Sequence, residues 1–250
     1  MIDNVQAYLP HLIELRARII RVSLIVFALF LGLFLIDDIL YSFIAKPLLL
    51  QLPAESAMIA TSVTTPFTVP MKLAFIFACF LAIPYVLYQL WSFLAPGLYL
   101  SEKRKIQPFI FASIFLFYSG VIFAYMVICP MALGFFAKCA PAGVKVMTDI
   151  QAYLDFVLTI LFAGGIAFQV PVITCTLINF NIVSVEKLIH LRPYIIVAAF
   201  ILGMLLTPPD VVSQILLALP MWWLFEAGIL WTKYLKKRET IVSDKRNFIS

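Results

Sequence analysis

The stretch HLIELRARIIRVSLIVFALFLGLFLI, residues 11–36, decides the fold. Its second part, Val22–Ile36, holds no charged residue, and Ile19 and Ile20 extend it past Arg21. Crossing ~30 Å of hydrocarbon takes about 20 such residues in a helix. The first part sets one carboxylate, Glu14, among Arg16, Arg18 and Arg21. A removable signal peptide would show a cationic start, a short apolar core and a small-residue cleavage site. Here the leading residues are mixed and amphipathic, and the run stops at Asp37-Asp38 with no Ala-x-Ala. The segment therefore reads as a retained first span, 19–36.

The rest of the chain repeats the pattern. Of its 250 residues 64% are hydrophobic and 12% charged, where soluble domains carry about a quarter charged. Every polar stretch is short, so residues 1–250 form a single membrane domain. Further spans are expected at 71–94, 109–129, 153–178, 194–206 and 211–231, followed by a tail at 232–250. The expected fold is an all-α integral membrane protein of six helices, the fifth and sixth short. Pro84, Pro171 after Gly164-Gly165, and Pro220 should kink the second, fourth and sixth, because proline removes a hydrogen bond and crowds the preceding turn.

Orientation follows from lysine and arginine. The N-terminal segment, the 95–108 loop, the 179–193 loop and the tail hold three, three, two and six, fourteen of the eighteen cations. Lys46, Lys72, Lys138 and Lys145 fall on the other side. The positive-inside rule then puts both termini in the cytoplasm. A re-entrant hairpin of the last two segments satisfies the same charges. Tyr194 and Trp231, suited to interfaces, favour two true spans in a locally thinned bilayer.

The outer loops look structured. Residues 37–70 carry Pro47, Pro53, Pro66, Pro70 and the polar patch Thr61–Thr65, with Phe43, Ile44, Leu48 and Leu49 as an apolar face for the membrane surface. The 130–152 segment, with Pro130, Pro141 and Gly143, reads as a similar loop.

Catalytic chemistry has no footing: no HExxH, no phosphate-cradling glycine loop and no serine with a His/Asp pairing is present. His11 and His190 are isolated, and Cys79, Cys129, Cys139 and Cys175 lack metal-ligand spacing. Cys79 and Cys175 fall inside apolar runs and read as small hydrophobes, while Cys129 and Cys139 could meet on the outer face. Polar groups at membrane depth are costly and mark candidate sites. Gln169, Glu226, Gln214 and Ser213 qualify, with helix-to-helix hydrogen bonding as their simplest role. Lys72 and Asp155 sit near span ends. The Thr207-Pro208-Pro209-Asp210 turn should bring Thr207 and Gln214 together, and Asp210 can cap the next helix at its N-terminus. Glu14 has two readings. It pairs with Arg18 at i,i+4 for a few tenths of a kcal/mol, or it accepts an incoming cation, guanidinium above all because the fork matches a carboxylate.

A second polar stretch, Leu98-Tyr99-Leu100-Ser101-Glu102-Lys103-Arg104, falls on the same side and repeats the acid-among-bases pattern. With HLIELR (11–16), SFLAPGLY (92–99), FQVP (168–171), RPY (192–194) and GMLLTPPD (203–210), the chain closely resembles the TatC family of twin-arginine translocase subunits. That resemblance implies a six-span receptor in the bacterial inner membrane, driven by the proton-motive force and without cofactor, metal or nucleic acid. It implies that Glu14 and Glu102 contact the twin arginines of signal peptides, with Arg16 and Phe93 beside them. It implies an outer-loop role for Pro47, docking of the single-span subunits TatA and TatB on the last two helices, where Met204, Leu205, Thr207 and Gln214 are read as the groove, and self-association. One departure is Gln169, where the family often has glutamate. The rival reading, an ion-coupled transporter of a small solute, would need ionisable residues in repeat-related spans, and the sequence lacks them.

Overall fold

The computed structural model describes residues 2–36, 40–42, 44, 58–94, 103–139, 148–180, 182–206 and 211–247. They form α1 (Ile2–Leu33, ending in a 3-10 turn at Phe34–Ile36), α2 (Thr65–Leu94), α3 (Lys103–Phe123), α4 (Cys129–Cys139), α5 (Ile150–Ala167), α6 (Val170–Asn179), α7 (Val185–His190), α8 (Arg192–Leu206) and α9 (Val211–Asn247). Two strands of two residues each, β1 (Met58–Ile59) and β2 (Thr148–Asp149), pair in parallel. Five stretches are long and apolar enough to cross a membrane: Leu12–Ile36, Thr65–Phe93, Gln107–Phe136, Ile150–Asn179 and Val211–Tyr234. A sixth apolar helix, Arg192–Leu205, is shorter.

Proline explains where these helices depart from the sequence boundaries. Pro130 does not open a loop. A π turn over Ala124–Ile128 lets the Cys129 N–H bond to the Ala124 carbonyl five residues back, and the chain continues as α4. The wider turn makes room where the proline ring would strike the carbonyl four residues earlier. At Pro171 the helix does break. The Gln169 N–H turns back to the Ile166 carbonyl at 2.9 Å, and α6 restarts with Pro171 in its first turn, where no intrahelical N–H is needed. Pro84 and Pro220 lie within continuous α2 and α9. The sixth helix is not short: it runs 37 residues, carrying helix well into the segment expected as a tail.

The protein divides into two compact units, residues 1–110 with 140–155 and residues 111–139 with 156–250. In the first, α1 packs along α2, with Phe30 edge-on to Phe75 at 6.2 Å. None of the apolar window of α1 is buried inside the protein, so lipid must solvate most of it. The ends of this unit are tied by polar contacts. Lys72 pairs with Asp155, and the Tyr153 hydroxyl donates to the Ile44 carbonyl at 2.7 Å. Ile44 is fully buried rather than laid on a membrane surface; Phe43, Leu48 and Leu49 lie outside the described residues.

Asp149 joins β2 to the start of α5. It accepts from the Thr61 hydroxyl and, through Oδ1, from the N–H groups of Gln151 and Ala152 at 2.7 and 3.0 Å. A side-chain oxygen on the first free N–H groups of a helix is a cap. The Thr61 hydroxyl first, then these amides, hold the Asp149 carboxyl below its ordinary value.

The second unit is built on glycine contacts. Gly120 of α3 meets Gly164 of α5, Gly165 lies against the Phe117 ring, and Gly228 of α9 meets Pro171 and Thr174 of α6. Ile178, Leu188, Phe225 and Ile229 form a buried cluster where α6, α7 and α9 meet.

Candidate functional site

Arg18 is the centre of the polar head of the first unit. Its Nε and Nη2 donate to Glu14 Oε1 at 3.1 and 2.5 Å, one turn back on α1. From the other side Nη1 donates to Gln89 Oε1 at 2.6 Å and to the Gln89 carbonyl at 3.2 Å, and Nη2 reaches the Ser92 carbonyl at 3.4 Å. Gln89 is held in turn, its Nε2 donating to the Tyr85 hydroxyl at 2.6 Å. Carbonyls of the last helical turn lack intrahelical partners, and that end carries the negative pole of the helix. The C-terminal end of α2 is therefore a natural seat for a cation, and Arg18, 15% exposed, fills it.

Glu14 is left half engaged. Both of its bonds to Arg18 fall on Oε1, and the side chain is 37% exposed. Its Oε2 has no hydrogen bond among the described residues, so it can accept a further cation. The i,i+4 pairing of Glu14 with Arg18 is as read from sequence; the fixing of Arg18 by α2 is not. Arg16 is exposed and Phe93 half-buried. Glu102, Pro47, Thr207 and Asp210 lie outside the described residues.

Gln169 sits at the α5–α6 break, and its Nε2 donates to the Ser113 carbonyl of α3 at 2.8 Å. Its chemistry is that of a donor gluing two helices, which an amide performs without titrating. Glu226 pairs with Arg192, Oε2 to Nη2 at 2.6 Å, linking α9 to the start of α8 across 34 residues. No local spacing in the sequence points to that partner, which comes from the packing of α8 on α9.

Gln214 corrects the groove reading. Its Nε2 donates inward to the Phe200 carbonyl of α8 at 2.8 Å, and its side chain lies over Gly203. It does not present an unsatisfied amide N–H to a partner helix; the carbonyl near the end of α8 already takes it. Met204 and Leu205, which follow Gly203 in α8, are 55% and 70% exposed. Ser213 is buried. Among the described residues no group of three His, Cys, Asp or Glu could hold a metal ion, and Cys129 is a free, buried thiol.

Comparison with known proteins fits this arrangement. The sequence model of the family described as Sec-independent protein translocase protein (TatC) matches residues 10–220. The Sec-independent protein translocase protein TatC of Azotobacter chroococcum mcd 1 is 49% identical over 237 residues, 95% of this chain and 93% of that protein. The protein of the same name from Escherichia coli (strain K12) is 46% identical over 233 residues, 93% and 90% of the two chains. A crystal structure of the twin arginine translocase receptor TatC superposes with a TM-score of 0.80 at 33% identity, covering 90% of this chain and 98% of that one. Matched residues run from the head of α1 into α9: the chain is a member of the TatC family, a membrane-embedded, non-enzymatic subunit of the Sec-independent protein translocase.

Proposed function

We propose that the chain is the subunit that receives twin-arginine signal peptides on the cytoplasmic face of a bacterial inner membrane. Glu14 and Glu102 accept the two arginines, with Arg16 and Phe93 at the rim. The chain crosses the bilayer six times with both termini inside, the fourteen cations of one side supporting that orientation. TatA and TatB, single-span subunits, dock on the last two helices at Met204, Leu205 and Thr207, and the proton-motive force drives export of the folded cargo. Copies of the chain associate within the complex. The observation that carries the recognition step is the half-engaged Glu14, a carboxylate at the polar head of α1 whose Oε2 has no hydrogen bond among the described residues.

Binding of a fluorescent twin-arginine peptide to the full chain in lipid nanodiscs tests it. Losing one partner of a charge-assisted pair costs about 1.5–3 kcal/mol, roughly 10- to 100-fold in affinity. Glu14→Ala and Glu102→Lys are expected to lose that much; unchanged affinity in both sinks the proposal. Reporters fused after Ser101, Lys187 and Ser250 should read cytoplasmic, and those at Ala54, Ala142 and Asp210 external. An external signal at Lys187 overturns six crossings.

A further inference from the structure

Arg18 holds Oε1 of Glu14 and leaves Oε2 open. An arriving guanidinium that grips both oxygens as a planar fork must take Oε1 from Arg18, which α2 holds from the other side. We propose that Arg18 is an internal guanidinium that an incoming arginine displaces from Glu14, and that this exchange sets the preference for arginine over lysine. The proposal rests on the reading of Glu14 as the acceptor of a signal-peptide arginine.

The geometry divides the five contacts of Arg18 into two sets. Two are on Glu14 Oε1, and three are on α2, at Gln89 Oε1, the Gln89 carbonyl and the Ser92 carbonyl. When Nε and Nη2 leave Glu14, Nη1 keeps its 2.6 Å bond to Gln89 Oε1. The cation stays over the negative end of α2 and is not orphaned, which is what makes breaking most ion pairs expensive. Tyr85 fixes the Gln89 amide from its other end, so the retaining oxygen remains aimed at Arg18.

Exchange conserves one guanidinium–carboxylate pair, so the gain is small and the newcomer must match the fork it replaces. A second guanidinium can. An ammonium is a compact, strongly hydrated point charge with no planar fork, and it gives up water for a poorer contact than the one it breaks. Without a fork to displace, a lysine pair would face an open carboxylate and suffer less.

Two peptides differing only in Arg-Arg or Lys-Lys, titrated onto the full chain in lipid nanodiscs, measure this. Arg18→Lys keeps the charge and removes the fork; it should shrink the Arg-Arg over Lys-Lys affinity ratio about tenfold, chiefly by tightening Lys-Lys binding. Gln89→Leu removes the retaining oxygen; it should weaken Arg-Arg binding about threefold or more, and that loss should vanish in the Arg18→Lys background. If Arg18 only pins α1 to α2, Arg18→Lys lowers both affinities together and leaves the ratio unchanged, which overturns the proposal. Should Arg18→Lys fail to fold, an Arg-Arg affinity unchanged in Gln89→Leu overturns it instead. Glu14→Gln separates the two levels. Full Arg-Arg affinity in that variant defeats the acceptor reading itself, whereas a lost affinity beside an unchanged Arg18→Lys ratio defeats the exchange alone.

Discussion

A β-carbon on Gly120 would lie 2.4 Å from the Gly164 carbonyl oxygen, and one on Gly164 would lie 2.8 Å from the Gly120 carbonyl oxygen. The backbones of α3 and α5 therefore touch, the close approach that small residues allow between membrane helices. Backbone cannot swing aside as a side chain can. Overpacking of this kind costs about 1–3 kcal/mol, so Gly120→Leu should lower the thermal midpoint of the detergent-purified chain. Gly32 has nothing within 4 Å of its would-be β-carbon, and Gly32→Ala should stay within about 0.5 kcal/mol of the parent. Equal midpoints for both variants would refute the contact.

Asp149 supplies a pH dependence. Its carboxyl is held below the ordinary value, the Thr61 hydroxyl being the largest cause. A depressed carboxylate adds stability above the unfolded-state value and loses it as pH falls through the folded one. Thr61→Val removes the leading contribution. The variant should melt below the parent at neutral pH, and the gap should close as pH falls below 3.8, the unshifted value. A gap that persists in acid would mean that Thr61 acts by packing.

The Arg192–Glu226 pair, with its 2.6 Å bond, joins α8 to α9 at a partly exposed site. Such pairs couple by about 1 kcal/mol or less. In a double-mutant cycle of Arg192→Ala and Glu226→Ala, the two single losses should sum to more than the double. Strict additivity would show that the bond contributes nothing to stability.

The membrane-crossing runs were legible because apolar length is written linearly in the sequence. The Glu14–Arg18 pair was legible too, since helical spacing alone brings i and i+4 together. Arg18 and Gln89, 71 residues apart, meet only because α1 packs on α2, and no local pattern encodes that. Pro130 misled because proline marks a helix end in most contexts, while here a π turn absorbs it. Gln214 misled differently. Its place in a docking groove was the misreading: the simpler role, a bond between helices, is the one it plays, and the acceptor is a main-chain carbonyl of α8, which carries no signature in the side chains.

Gln169 acts as a donor to the Ser113 carbonyl. Leucine there removes a bond worth about 1 kcal/mol between membrane helices, whereas a protonated glutamate can still donate. Export of a twin-arginine reporter should fall in Gln169→Leu and largely survive in Gln169→Glu. Full export by the leucine variant would leave this residue without a required hydrogen bond.

The last prediction concerns docking on the short helix. α8 has 15 residues, about 22 Å at 1.5 Å per residue, less than the ~30 Å of a typical hydrocarbon core. In the six-crossing reading the bilayer beside it thins, at a modest cost that another helix lying there would relieve. Gly203 and Gln214 lock α8 to α9. Met204 and Leu205, 55% and 70% exposed, then form an apolar ridge. Single cysteines at Met204 and Leu205 should crosslink to a cysteine in the membrane helix of TatA or TatB. Gln214→Leu should weaken those crosslinks by loosening the α8–α9 lock rather than by removing a direct bond, so Gly203→Leu should weaken them as well. Phe115 on α3 is 71% exposed and equally apolar, which makes it the fitting control. Crosslinks as strong from Phe115→Cys as from Leu205→Cys would mean that exposure to lipid, and not a docking ridge, accounts for the contact.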